Sequence, residues 1–168
     1  LYTRSFFKDL PVTKGCGEGF AYWKGQAAKF WPKDGPYVKG LAAIALSRYG
    51  EAKVAREIIE SLRETAIYND ELGMYWKENV GGYWWHQAPV ETQALLIEAF
   101  EEIARDRKAA DEMRTWLLKS KQTQHWSTTK ATTDACYALL MGGSEWIKND
   151  NLAEIFLDDV KIDPRAMG

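Results

Sequence analysis

Four carboxylates and two histidines in this chain could carry chemistry. Glu18, Glu78, Glu91 and Asp134 are associated with the starts of helical runs and lie among aromatic residues. An acid and base pair drawn from them would cleave a glycosidic bond if two carboxyls stood about 5 to 9.5 Å apart and one had a raised pKa. Neighbouring rings would then stack on sugar faces. The plainer reading of Glu91 is a first-turn acid stabilised by the helix dipole. His86 and His125 precede apolar helices, and Cys16, Glu18 or Glu91 would have to supply a third metal ligand. No H-E-x-x-H or C-x-x-C spacing supports such a site, so the histidines read as polar loop residues and neither metal nor cofactor is expected.

These residues are positioned by a repeating unit, clearest over 81–100. A glycine pair and an aromatic cluster, Gly81-Gly82-Tyr83-Trp84-Trp85, lead into Pro89, which suits a first helical turn, and then into an apolar run. Glu18 to Trp23 precedes the run Pro36 to Tyr49 in the same way, and Gln124 to Ser127 precedes Thr129 to Met141. More polar runs, Ala52 to Thr65 and Arg107 to Lys119, lie between. Corresponding helices recur about every 50 residues, as stacked supersecondary units do.

Along the chain, 1–35 resists assignment apart from two expected loops, Thr13 to Gly19 with its three glycines and Trp31 to Pro36. The run from Pro36 is apolar over much of its circumference and reads as an inner helix ended by Gly50; Ala52 to Thr65 carries one apolar stripe and reads as an outer one. The helix from Pro89 extends to about Ala104, Asp106 caps the next outer helix, and Thr128 or Thr129 starts the third inner helix, which Gly142 stops. From about Leu152 to Ile162 the pattern fits either a last helix or a strand.

The expected fold class is all-α. Inner apolar helices alternating with outer amphipathic ones predict about three hairpins of an α/α toroid over 1–150, with an open α-solenoid as the alternative. Residues 151–168 are expected to form a tail, with the start of a following β domain as one reading of it. The aromatic loops holding Tyr22, Trp23, Tyr75, Trp76, Tyr83, Trp84, Trp85 and Trp126 are the candidate binding residues. They read first as plugs at one end of the helical barrel and second as a sugar-stacking surface.

Composition narrows the classes. The chain has 168 residues, 46% of them hydrophobic, which suffices for one packed domain. Its net charge of −2, from 22 basic and 24 acidic residues, leaves no basic footprint for nucleic acid. No stretch approaches the roughly 20 apolar residues of a membrane span. Without an initiator Met or a signal-peptide profile, the chain is expected to be a piece of a longer protein. Cys16 and Cys136 set no disulfide framework, and Cys136, within an apolar run, is expected to be buried and inert.

Several of these segments are similar to one known family. Gly73 to Lys77, the stretch 81–100, Trp116 to Lys119, Lys121 to Gln124 with Trp126, Thr128 to Thr132 and Ala135 to Leu140 resemble the helical-ring, thioester-type domain of bacterial alpha-2-macroglobulin proteins. The resemblance covers about 70–147 well and 17–66 more loosely. It implies a non-catalytic scaffold in a protease-trapping endopeptidase inhibitor, secreted or attached to the cell envelope. Its partners would be neighbouring domains of the parent chain and, through the parent, proteases. The family's reactive motif is Cys-Gly-Glu-Gln. Here Cys16-Gly17-Glu18 is followed by Gly19, which has no carboxamide, so any working thioester would lie upstream. A half ring would expose inner-helix surface, so a homodimer of the isolated chain is also expected.

Overall fold

A computed structural model describes residues 1–79, 88–123 and 125–142, with two further strands near the C-terminus. The helices are α1 (Tyr2–Ser5), α2 (Gly17–Phe30), α3 (Pro36–Arg48), α4 (Ala52–Thr65), α5 (Pro89–Ala99), α6 (Arg107–Thr123) and α7 (Thr129–Met141). Short 3-10 turns occupy Trp31–Lys33 and Lys77–Asn79. The fold is all-α, with two small antiparallel hairpins as the only sheets among the described residues.

The apolar runs form the inner layer. α5 has every residue from Val90 to Ala99 buried, which its near-continuous apolar sequence requires. It packs between α3 and α7 and is covered by α6, while α4 backs α3. Gly40 lets α3 approach closely, because a Cβ there would stand 3.0 Å from a Leu96 methyl. The outer helices bury one stripe each: Ile58, Ile59 and Leu62 on α4, and Ala109, Ala110, Met113 and Leu117 on α6. This is the expected alternation of inner and outer layers.

Helix ends follow the local chemistry. Proline occupies the first turn of α3 and of α5, Thr128 Oγ1 accepts from the Ala131 amide at 2.9 Å to cap α7, and Asp106 Oδ1 accepts from Ala109 at 3.0 Å before α6. α5 runs on as a π-helical segment, Phe100–Ala104, which Arg105 ends in the left-handed region at φ 55°.

Four expectations need correcting. Gly17 to Trp23 is not a loop but the first half of α2, which docks through Phe20 on Tyr49 (ring centroids 4.9 Å apart) and through Lys24 paired with Glu51 at 3.0 Å. Trp31 to Lys33 is a 3-10 turn rather than an irregular loop. Cys136 is exposed on α7, because the inward stripe of that helix is Ala131, Ala135 and Ala138 and Cys136 falls beside it. A hairpin that the periodicity did not predict, β1 (Ile67–Asn69) with β2 (Gly73–Tyr75), pairs Tyr68 with Met74 and packs β2 on α6.

The tail is strand rather than helix over β3 (Ile155–Leu157) and β4 (Val160–Ile162), paired antiparallel with Leu157 opposite Val160.

Candidate functional site

Of the five candidate aromatics among the described residues, Tyr75, Trp76 and Trp126 build structure. Trp76 is fully buried, and its indole N–H donates to the Leu62 carbonyl at 2.9 Å, satisfying an end group of α4. Tyr75 is half-buried and stacks on Trp116, with centroids 6.4 Å apart. Trp126 is half-buried against the core, with the Lys121 ammonium 5.2 Å from its ring centroid. Tyr22 and Trp23 are exposed on α2 and meet edge to face. Tyr83, Trp84, Trp85 and His86 lie outside the described residues.

A groove of about 940 Å³ opens inside the arc of α2, α3, α5 and α7. Each helix turns one stripe toward it. Trp23, Gln26, Ala27 and Phe30 come from α2, and Val38, Leu41, Ala42 and Ala45 from α3. Glu91, Ala94, Leu95 and Glu98 come from α5, and Lys130, Asp134 and Tyr137 from α7. The spacings are those of single helix faces. The floor is aliphatic and the charges gather at two ends, because Glu91 and Glu98 stand two turns apart on α5, about 10 Å along the axis.

At one end Glu98 is fully engaged. Arg48 Nη2 donates to its Oε1 at 2.7 Å and the Tyr2 hydroxyl to its Oε2 at 2.7 Å, while Arg48 also binds Glu102 and the Ser5 hydroxyl. Burial, then the hydrogen bond to Glu98, push the Tyr2 phenol well above its ordinary range. The Arg48 guanidinium opposes its own burial through these carboxylates and stays charged. The cluster ties the N-terminal residues to α3 and α5.

At the other end Lys130 Nζ donates to Asp134 Oδ2 at 2.5 Å. Burial is the largest influence on the Lys130 ammonium and works against it, but the Asp134 hydrogen bond and the charges of Asp134 and Glu91 together outweigh it, so its pKa rises. Glu91 is 8% exposed and, among the described residues, accepts only a long hydrogen bond, 3.4 Å from Thr128 Oγ1. No cation pairs with it among the described residues.

Two of the four candidate carboxylates, Glu91 and Asp134, therefore reach one groove. Glu18, in the exposed first turn of α2, and Glu78, exposed in its 3-10 turn, do not line it. Of the candidate aromatics among the described residues, only Trp23 does. Asp134 is engaged by Lys130 and Glu98 by Arg48 and Tyr2, so the latter set joins α1, α3 and α5 at one end of the groove. Among the described residues no three His, Cys, Asp or Glu side chains converge on a metal-sized site, His125 is exposed, and no helix is long and apolar enough to cross a membrane. Sequence reasoning missed Glu98, Lys130, Tyr37 and Tyr137 as groove residues. The seven-residue interval from Glu91 to Glu98 was the available signal, since it returns to the same helix face.

No family model matches the chain, and no solved structure matches it.

Proposed function

We propose that the chain is a non-catalytic helical scaffold in a bacterial alpha-2-macroglobulin-like protein that traps proteases. The observation that carries this reading is where the resembling residues fall. Val90 to Phe100 form the central helix, buried on all sides, and Thr128 caps its neighbour α7. The motif is spent on building the arc, which is the part a scaffold contributes. The groove acids that an enzyme would need as a pair are largely taken up by cations, as Glu98 and Asp134 show. Cys16 is exposed and followed by Gly19 rather than Gln at the fourth motif position, so covalent capture is assigned to a thioester upstream of this chain, if the parent has one. The parent would be secreted or held at the cell envelope.

The test uses the longer polypeptide. It is incubated with several endoproteases and followed by denaturing gel and light scattering. Limited cleavage with compaction and retention of the protease is the expected result. Cleavage without compaction or retention overturns the proposal.

A further inference from the structure

The groove inside the arc has a floor unlike that of a polar ligand site. Its floor, Leu41, Ala42, Ala45, Ala94 and Leu95, is aliphatic and offers no hydrogen-bonding side chain. A sugar laid on it would lose water from its hydroxyls without gaining partners, which costs free energy for every group left unpaired. Aliphatic side chains laid there gain burial instead. The three alanines are small enough to admit a helix at the usual interaxial distance of about 8–10 Å. The rim is mixed: beside the polar Gln26, Asp34, Lys130 and Asp134 it carries Trp23, Val38 and Tyr137, which are 63%, 45% and 52% exposed, so solvent-exposed apolar surface from three helices borders one concavity.

Charge narrows the occupant. Glu91 is more than nine-tenths buried at one end of the floor, with only the long bond from Thr128 and no cation paired to it among the described residues. Lys130, the nearest groove cation, is already paired with Asp134. A carboxylate in that position attracts a cation delivered from the groove side, and a Lys or Arg on a bound helix carries one on a stem long enough to reach while its own backbone stays on the floor.

We propose that this groove docks an amphipathic helix whose aliphatic face covers the α3 and α5 floor and whose Lys or Arg pairs with Glu91. The recognition mode is helix in groove. The inference does not depend on protease trapping: it reads peptide binding by the chain itself, whereas the trapping test reads retention of a protease by the parent, so either can fail alone.

The experiment titrates the 168-residue chain into a fluorescent synthetic helix of about 18 residues with Leu and Ala on one face and Lys on the other, read by anisotropy. Matched peptides carry Glu or Gln in place of Lys. Two variants accompany it: Val38→Glu, at a solvent-exposed rim position where the fold tolerates the change, and Glu91→Gln, which keeps the shape of the side chain. Circular dichroism checks both. The expected result is saturable binding of the Lys helix, at least tenfold weaker binding of the Glu helix, and at least tenfold loss in Val38→Glu. Glu91→Gln weakens the Lys helix several-fold and leaves the Gln helix unchanged. Equal affinity for the Lys and Glu helices, or indifference to Val38→Glu, overturns the proposal. So does saturable binding of neutral oligosaccharides that Val38→Glu abolishes, which would give the groove to sugars. A concentration-dependent dimer that Val38→Glu abolishes would likewise overturn it, because the occupant would then be a second copy of this chain.

Discussion

Gly73 and Gln93 show how single residues hold β2 against the helices. Gly73 adopts φ 76°, and a Cβ there would stand 2.1 Å from the Glu112 carbonyl oxygen of α6, so both conformation and space demand glycine. Gly73→Ala is expected to destabilise the fold by about 3 kcal/mol or more, read as a lower urea midpoint; an unchanged midpoint would mean that β2 does not sit on α6 as described. Gln93 is completely buried, and its Nε2 donates to the carbonyls of Met74 at 2.7 Å and Met113 at 3.3 Å, joining α5 to β2 and to α6. Gln93→Leu removes the donor and leaves the Met74 carbonyl without it, whereas the Met113 carbonyl sits inside α6; the expected cost is about 1–3 kcal/mol in the same assay. Stability equal to the parent chain would show the Met74 carbonyl finding another donor. Neither role was visible in the sequence. A glutamine inside an apolar run is conspicuous, but its partners lie 19 and 20 residues away and only packing identifies them.

Elements were legible where caps and periodicity agreed and illegible where tertiary contacts decided. The bounds expected for α4 and α7, Ala52 to Thr65 and Thr129 to Met141, are those found, because Gly50 and Thr128 punctuate strong helical patterns. α2 was missed because Gly17, Gly19 and Gly25 weaken its propensity, and contacts to Tyr49 and Glu51 supply what propensity lacks. β1 and β2 have three residues each, too short for alternation to show. Asp106, read correctly as a cap, also carries a pH dependence. Its carboxylate accepts from the Ala109 amide and from Arg63 Nη1 at 2.8 Å, and these, the amide first, hold its pKa below the ordinary 3.8. A depressed folded-state pKa contributes stability that is present above 3.8 and lost as pH falls through the lower folded value. Asp106→Asn keeps an acceptor for Ala109 but removes the charge, so its unfolding free energy should fall less steeply below pH 3.8 than that of the parent chain. Asp106→Ala should cost about 1 kcal/mol at neutral pH. Parallel acid profiles for the parent chain and Asp106→Asn would show that neither the Ala109 amide nor Arg63 depresses the Asp106 carboxyl.

Across the whole molecule, burial is unevenly shared, and the groove lies on the boundary. α5 is buried along its length and α3 over Gly40 to Leu46 except Leu41, whereas α2 has no buried residue and rests on half-buried Ala27 and Ala28. Residues 6–16, which lead into α2, are exposed throughout. α1 is tied to the arc mainly by polar contacts, the Tyr2 hydroxyl on Glu98 and Ser5 on Arg48. Local opening should follow this gradient, because few buried apolar contacts mean a low free energy of opening. Native-state hydrogen exchange should find α2 opening several kcal/mol more easily than α5, with α5 exchanging only on global unfolding. Equal protection in the two helices would mean that α2 is as firmly packed as the core and that the groove has a rigid wall on every side. The expected gradient has a consequence for binding. α2 supplies Trp23 and Phe30 to the rim, so an occupant seated on the α3 and α5 floor would gain contact with the least stable wall and order it. Adding the Lys helix should then slow α2 exchange selectively, and uniform slowing across all helices would place the peptide elsewhere.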